Sequence, residues 1–145
     1  MEITIREIET ADYPEVLSLI NKELDNKRVT AENMAATYEK MKKSDIYNTF
    51  VALNDEKVVG FITIVEVLAV GFPVGYIKIN GLAVKEEFQG KGIGKKLITY
   101  IEEIAYQKGI SRIGLATGFQ RKEAHAFYEH LGYESGSYWY GKTLK

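Results

Sequence analysis

Glycines occupy three alternate positions, Gly90, Gly92 and Gly94, between a strand-like and a helix-like segment. The N-terminus of a helix carries unpaired backbone N–H groups and a partial positive charge, which together bind phosphate oxygens if the chain can approach closely. Glycine has no side chain to block that approach. Three lysines add local positive charge: Lys91, Lys95 and Lys96. The segment therefore predicts a pyrophosphate-binding loop, and a merely flexible connection is the alternative.

The loop matches neither of two common nucleotide-binding motifs. A Walker loop has four residues between its glycines, followed by Lys and Ser or Thr, whereas Gly90 and Gly94 enclose three residues and Lys95-Lys96 follows. A dinucleotide fingerprint has the spacing G-x-G-x-x-G and an acidic residue about twenty positions later, but that region reads Arg112-Ile113-Gly114-Leu115-Ala116. The spacing alone therefore indicates an anion site without naming its ligand.

Helical periodicity predicts about four helices in the chain. Asp12 with Glu15 forms a capping-box start for the first helix, and Thr30 is the N-cap of the second. The apolar face of the third, directly after the glycine loop, consists of Ile93, Leu97, Ile101 and Ile104. The apolar face of the last consists of Ala124, Phe127, Tyr128 and Leu131. Lys108-Gly109 and Gly132 mark the ends of these two helices.

Strand-like segments account for most of the remaining chain. Strands are predicted at 3–8, 50–53, 58–67, 76–84, 110–116 and, as a terminal hairpin, 133–144. A glycine within the fourth strand predicts a bulge near Asn80-Gly81. The strand, helix and strand over 76–116 should form a right-handed parallel crossover. The pattern predicts an α/β fold with a mixed sheet of about seven strands flanked by about four helices.

Composition indicates one ordinary globular domain. The chain has 145 residues, of which 46% are hydrophobic and 27% charged, so we predict a single domain over residues 1–145. A net charge of −1 provides no global field for nucleic acid or anionic lipid. The absence of cysteine excludes disulfides, a thiol nucleophile and thiolate metal ligands, and no apolar run approaches the ~18 residues of a membrane span. We expect a cytoplasmic protein with no nucleic-acid or membrane partner.

Two motifs resemble those of the GNAT N-acetyltransferase superfamily. Gln89-x-x-Gly92-x-Gly94 is similar to the family's acetyl-CoA signature, which reads Gln or Arg, x, x, Gly, x, Gly or Ala. The block from Ala124 to Tyr133, which contains Phe-Tyr and then Leu-Gly-Tyr, is similar to the family's later motif. The resemblance implies a GNAT-like, mostly antiparallel sheet and an acetyl-CoA-dependent N-acetyltransferase that uses no metal.

The resemblance also implies cofactor-binding positions. Strand amides would bind the acetyl carbonyl and pantetheine, at Leu82, Ala83 and Val84. Loop amides would hold the pyrophosphate, at Gln89, Gly90, Lys91, Gly92, Ile93, Gly94 and Lys95. The later block adds Ala124 and Phe127 to the positions that bind acetyl-CoA. One departure from the family pattern is Arg121, which stands where many members have an asparagine that contacts the pantetheine arm.

Acetyl transfer to an amine needs an oxyanion donor, a proton donor and a proton acceptor. Because the chain has no cysteine, direct attack of the amine on the thioester in a ternary complex is the simplest mechanism. A strand N–H freed by the bulge, at Leu82, suits the oxyanion. Tyr128 occupies the family position that often protonates the sulfur, and core packing is its alternative. Glu66, as an isolated carboxylate on an apolar strand face, is a candidate general base, and water positioned by Asn80 is the alternative.

The sequence leaves the acceptor and the partners open. The acceptor is a small amine, a peptide or protein amine, or an antibiotic. A catalytically silent acyl-CoA-binding sensor or interaction module is the alternative function, and a phosphate-binding regulator is a third. His125 and His130 are five residues apart and share no metal-binding face, so His125 is expected to face solvent. Four late aromatics suit strand packing, an acceptor pocket or a homodimer interface: Tyr133, Tyr138, Trp139 and Tyr140.

Overall fold

The computed structural model describes residues 1–144, which form two compact units over residues 1–114 and 115–144. The helices are α1 Tyr13–Lys22, α2 Ala31–Met41, α3 Ile93–Gln107 and α4 Lys122–His130. The strands are β1 Ile3–Glu7, β2 Tyr47–Asn54, β3 Lys57–Ala69, β4 Phe72–Val84 and β5 Ile113–Leu115. The sheet order is β1-β2-β3-β4-β5, and β1–β2, β2–β3 and β3–β4 are antiparallel. The predicted α/β class and mostly antiparallel sheet are confirmed, whereas the parallel crossover and the single domain stay predictions.

The sheet has five strands rather than the predicted seven. The difference is the terminal hairpin, because residues 133–144 of the described chain contain no strand. Alternating aromatics favour extended backbone, but a strand also needs partners for its N–H and C=O groups. The side chains of Tyr138, Trp139 and Tyr140 are 74%, 73% and 88% exposed, so core burial does not hold this segment as a strand.

The start of α1 differs from the predicted capping box. A 3-10 turn at Thr10–Asp12 precedes the helix, and the Asp12 side chain caps no N–H group of α1. Its carboxylate instead accepts hydrogen bonds from both terminal nitrogens of Arg6, at 2.7 and 3.1 Å, and from the Glu9 N–H at 2.8 Å. The ion pair with Arg6 therefore ties β1 to the start of α1.

Of the other predicted boundaries, the start of α2 and the β2–β3 turn agree with the structure, and the start of β4 does not. Thr30 caps α2, because its Oγ1 accepts a hydrogen bond from the Asn33 N–H at 3.2 Å. The β2–β3 hairpin turns at Asp55 and Glu56, whose φ angles of 49° and 64° are those of a tight hairpin turn. β4 begins at Phe72, earlier than predicted, because 72–75 extends the β3–β4 hairpin instead of forming a loop.

The sheet is packed on both faces. The α1 side holds one core cluster, which includes Val16, Leu19, Val51, Phe61 and Ala83. The other side lies under α3, whose buried residues are Ile93, Leu97, Ile98, Ile101 and Ala105. Side chains alternate between faces along a strand, so Phe50 of β2 lies on the α3 side, where its ring contacts Tyr100 edge-on at 4.9 Å. Within residues 1–144, none of the helices has the length and apolar character to cross a membrane.

Candidate active site

β4 carries a bulge where the sequence predicts one. Thr63 of β3 pairs with Gly81, but the next residue, Ile64, pairs with Ile79, so Asn80 is an extra residue on β4. A bulge of this kind bends its strand and interrupts the regular ladder of hydrogen bonds. The predicted bulge near Asn80-Gly81 is confirmed.

Beyond the bulge, alternate amides of β4 point away from β3. The Lys85 N–H donates to the Val59 carbonyl of β3 at 2.8 Å. Successive residues of an antiparallel strand direct their N–H groups to opposite sides, so Leu82 and Val84 direct theirs to the far edge of β4. Ala83 differs, because its N–H faces β3 and its side chain is buried in the core. Two of the three implied strand positions are therefore edge donors, and Ala83 is not available as one.

The glycine loop leads into the N-terminus of α3. Gly90 and Gly92 have φ angles of 76° and 84°, which glycine adopts without strain, and Gly94 already lies in the first turn of the helix. The first helical bond runs from the Lys96 N–H to the Gly92 carbonyl at 3.0 Å. The N–H groups of 93–95 precede it and have no protein acceptor among the residues described. These donors, at the positive end of a helix, fit a pyrophosphate.

Gln89 holds the loop in place. Its Nε2 donates to the Val84 carbonyl at 2.9 Å and to the Glu23 carboxylate at 3.1 Å. Its backbone N–H donates to the Glu86 carbonyl at 3.1 Å. The resemblance implied that this N–H donates to the pyrophosphate, but the N–H already has an acceptor. The side-chain contacts of Gln89 instead position the loop. Sequence reasoning missed this role, for which the glutamine at the first motif position is the signal.

Positive charge surrounds the loop as predicted. Lys95 and Lys96 are exposed in the first turn of α3. The Lys91 Nζ lies 5.6 Å from the centre of the Phe88 ring, within range of a cation–π contact that holds it beside the loop. The helix amides and ammonium groups make this segment locally positive on a chain that is nearly neutral overall, and its role as an anion site stays a prediction.

Glu66 is not the isolated carboxylate that the sequence predicts. Its Oε2 lies 2.8 Å from the Nζ of Lys108, which follows the last residue of α3. Glu66 shares the α3 side of β3 with Ile62 and Ile64. Lys108 and the glycine loop lie at opposite ends of α3, which has 15 residues and is about 22 Å long. The carboxylate is thus paired with an ammonium group, and its role as a base stays a prediction.

In the second unit, α4 ends in a motif that fixes Tyr128. Gly132 has a φ of 92°, its N–H donates to the Glu129 carbonyl at 3.0 Å, and the Tyr133 N–H donates to the Tyr128 carbonyl at 3.0 Å. These two bonds form a Schellman motif, which often brings the side chains at its two ends together. The Tyr128 ring contacts Tyr133 edge-on at 5.8 Å and Phe127 at 5.1 Å. The Leu-Gly-Tyr of the later sequence block is therefore a helix stop that orients a tyrosine.

Burial raises the pKa of Tyr128 to about 12, and the positive charge of Arg121 opposes that rise. The phenol is therefore protonated near neutral pH and can donate a hydrogen bond. Arg121 is the N-cap residue of α4 and is exposed. Many members of the family that the sequence resembles have an asparagine at this position, whereas this chain has Arg121, whose positive charge acts on Tyr128.

The remaining predicted positions of the second unit lie on α4. Ala124 and Phe127 are half-buried, and their contacts with acetyl-CoA stay predictions. His125 is half-buried instead of facing solvent, and its Nε2 lies 2.8 Å from the Gly118 carbonyl. In the described part of the chain, no three His, Asp or Glu side chains lie together as a metal site would require.

Residues 4–133 match the family model described as the Acetyltransferase (GNAT) family. The chain belongs to the GNAT acetyltransferase family. The matched stretch begins in β1 and ends at Tyr133, so it contains the bulged strand, the glycine loop and the α4 block. The predicted family is confirmed.

Named relatives match shorter parts of this GNAT chain. An uncharacterized N-acetyltransferase of Bacillus subtilis is 33% identical over 48% of this chain and 49% of its own length. The aminoalkylphosphonate N-acetyltransferase of Salmonella typhimurium is 34% identical over 46% of this chain and 44% of its own length. The alignments thus span less than half of each of these relatives.

Solved structures match the chain over nearly its whole length. The crystal structure of an aminoglycoside acetyltransferase from an uncultured soil metagenomic sample has a TM-score of 0.83 to this GNAT protein. That match covers 99% of this chain and 97% of the other, with 24% sequence identity. At this identity the likeness concerns the fold, which is that of GNAT acetyltransferases.

Proposed function

We propose that this GNAT protein transfers the acetyl group of acetyl-CoA to an amine. The observation that carries the proposal is the set of unpaired N–H groups of 93–95 at the start of α3. These groups directly follow Gly90 and Gly92, whose φ angles are left-handed. This set suits the pyrophosphate of coenzyme A. The edge amides of Leu82 and Val84 supply a second set of donors, suited to the acyl and pantetheine groups.

The residues of the first unit support direct attack within a ternary complex. The amine nitrogen forms a bond to the thioester carbonyl carbon, and the Leu82 N–H donates to the oxyanion that develops there. The carbon–sulfur bond then breaks and the thiolate leaves. Before attack, the ammonium form of the acceptor gives one proton to water, which the exposed Asn80 side chain at the bulge is placed to hold, and after attack the nitrogen loses its second proton to water as the amide forms.

Tyr128 is the proposed partner of the departing sulfur. An ordinary thiol has a pKa of about 8.5, whereas that of Tyr128 is raised to about 12. Complete transfer of the phenol proton to a free thiolate is therefore unfavourable. Tyr128 stabilises the developing negative charge chiefly as a hydrogen-bond donor, and the positive charge of Arg121 favours that donation.

The acceptor we propose is a primary amine on a small molecule. The aminoalkylphosphonate N-acetyltransferase named above is named for a substrate of that kind. Aminoglycoside antibiotics and peptide N-termini are the two other acceptor classes to compare. The N–H donors described above contact the acetyl donor, so they do not discriminate between these acceptors.

A thermal-shift comparison followed by a thiol-release assay tests the proposed function. We expect acetyl-CoA to raise the Tm more than ATP or NAD at equal concentration, because the two donor sets match acyl and pyrophosphate groups together. We then expect thiol release with at least one member of a panel of aminoalkylphosphonates, aminoglycosides and peptide amines. Equal shifts with ATP would contradict the coenzyme A site. A selective shift with no thiol release from any amine would support the silent acyl-CoA sensor instead.

A further inference from the structure

Three hydroxyl groups form a connected cluster on the α1 side of the sheet. The Tyr38 phenol of α2 donates to Thr49 Oγ1 of β2 at 3.0 Å, and Thr49 Oγ1 lies 2.7 Å from Thr63 Oγ1 of β3. Thr49 is only 4% exposed, whereas Tyr38 and Thr63 are half-buried. The middle of this hydroxyl cluster is therefore sealed in the core, while its two ends remain partly accessible.

The hydroxyl cluster reaches the bulge of β4. Thr63 is the cross-strand partner of Gly81, and a Cβ placed on Gly81 would come within 3.3 Å of the Thr63 Cγ2. Glycine at this position leaves the Thr63 side chain uncovered by its neighbour. Leu82, the proposed oxyanion donor, is the next residue of β4. Because cross-strand neighbours lie about 5 Å apart, Thr63 stands within the length of a small molecule from the proposed reaction centre.

One hydroxyl hydrogen of the cluster is not used by the bonds within it. Three hydroxyl groups carry three hydrogens, and the two bonds within the cluster use two of them. Either Thr49 or Thr63 can donate in the bond between them, because a hydroxyl oxygen can accept two hydrogen bonds. When Thr49 is the donor, the Thr63 hydrogen is left for an acceptor outside the cluster, on the side of the bulge.

An aromatic pair holds the first member of the hydroxyl cluster. The rings of Tyr13 and Tyr38 are stacked, with centroids 4.9 Å apart and an angle of 20° between their planes. Stacking restricts rotation of the Tyr38 ring and keeps its phenol aimed at Thr49. The packing of α1 and α2 therefore fixes the position of the phenol at one end of the cluster.

We propose that the hydroxyl cluster selects amines that carry a hydroxyl or carbonyl oxygen close to the amine nitrogen. Thr63 donates to that oxygen and so positions the amine beside the bulge. Amino alcohols, amino sugars and amino-acid amides belong to this class, and plain alkylamines do not. The inference rests on the proposed acetyl transfer. A purely structural role would require only that the buried Thr49 hydroxyl have partners.

Matched acceptor pairs test the role of Thr63 as a positioning residue. Initial rates would be measured with ethanolamine against propylamine and with glucosamine against cyclohexylamine. We expect the kcat/KM of the wild type, expressed per concentration of free-base amine, to favour the oxygen-bearing amine by about three- to tenfold, the range for one net hydrogen bond. Thr63→Val should bring this ratio close to one, mainly through KM, with the KM for acetyl-CoA unchanged. Thr63→Ser should restore the ratio.

Controls separate binding from folding. Thr4→Val changes an exposed threonine of β1 and should leave the ratio at its wild-type value. A Thr63→Val protein that loses thermal stability but keeps the wild-type ratio would overturn the inference and leave the cluster a structural one. A wild type that acetylates both members of each pair equally would also overturn it while preserving the proposed function. No thiol release from any amine would overturn both.

Discussion

The Tyr133 N–H donates to the Tyr128 carbonyl at 3.0 Å while the two rings meet edge-on, so one local motif sets both the end of α4 and the orientation of its tyrosine. The turn between them depends on Gly132, whose φ of 92° is unfavourable for any residue with a Cβ. The orientation of the proposed hydrogen-bond donor to sulfur is thus linked to a backbone conformation four residues away.

Gly132→Ala should lower both stability and turnover. Alanine in the left-handed conformation costs about 1–2 kcal/mol, and relief of that strain would displace the Tyr128 ring and reduce kcat by about tenfold. Gly109→Ala is a matched control, since Gly109 ends α3 with a φ of 71° and, as at Gly132, an added Cβ would meet nothing within 4 Å. Chemical denaturation and steady-state kinetics would measure both variants. Equal kcat losses would contradict the link to Tyr128.

Tyr128→Phe should lower kcat by about a hundredfold and leave the Kd for acetyl-CoA nearly unchanged. Because burial raises the pKa of Tyr128 to about 12, the phenol stays protonated across the neutral and mildly alkaline range. The ratio of wild-type to variant kcat should therefore stay constant between about pH 7 and 9. A ratio that falls towards one as the pH rises to 9 would show that the group titrates earlier. Unchanged turnover would return Tyr128 to a packing role.

Gly92→Ala should weaken acetyl-CoA binding. Gly92 is the N-cap of α3 with a φ of 84°, and an alanine there must either accept strain or move the loop away from the three unpaired amides. We expect the Kd to rise about tenfold, equivalent to the 1–2 kcal/mol of a left-handed alanine. Gly71→Ala, in the β3–β4 hairpin, has open space and no unfavourable φ, so it should leave the Kd unchanged. Isothermal titration calorimetry would measure both.

Glu66→Gln and Lys108→Met break the same ion pair, but only the first removes the carboxylate. Because the carboxylate is already bound to Lys108, we expect equal effects of the two variants, with turnover within about threefold of wild type and a stability loss under about 1 kcal/mol. Water would then be the proton acceptor. A fall in kcat of about a hundredfold in Glu66→Gln alone would instead identify Glu66 as the base that the sequence predicts.

Asp12→Asn should reduce stability in a pH-dependent way. Hydrogen bonds from Arg6 lower the pKa of Asp12, so the stabilisation is present above the unfolded carboxyl's pKa and is lost as the pH falls through the lower folded value. We expect a loss of about 1–2 kcal/mol near pH 7, since Arg6 is partly screened by solvent. The difference should shrink below about pH 4. Glu9→Gln removes an exposed partner of Arg6 and should change the free energy of unfolding little. Urea titrations of both variants would show whether the stability loss is specific to Asp12.

The features that sequence predicts best are those where glycine restricts or permits backbone geometry. Gly81 predicted the bulge and Gly92 predicted the helix N-terminus, and Gly92 has a left-handed φ that residues with a Cβ avoid. The Glu66–Lys108 pair joins residues 42 positions apart, so no local pattern reveals it. Thr63 was missed for a related reason: a threonine in a strand is ordinary, and only the contacts with Thr49 and Tyr38 place its hydroxyl in a cluster.

The extra residue at Asn80 bends β4 without changing which residues of β3 and β4 pair on either side of it. A chain lacking Asn80 would keep Thr63 opposite Gly81 and Ile64 opposite Ile79, with every amide beyond the bulge still facing the same edge, but the strand would run straight. In genetic terms, one in-frame codon distinguishes a straight strand from a bent one. Such an insertion leaves the pairing on either side intact, which makes it a short evolutionary step between the two strand shapes.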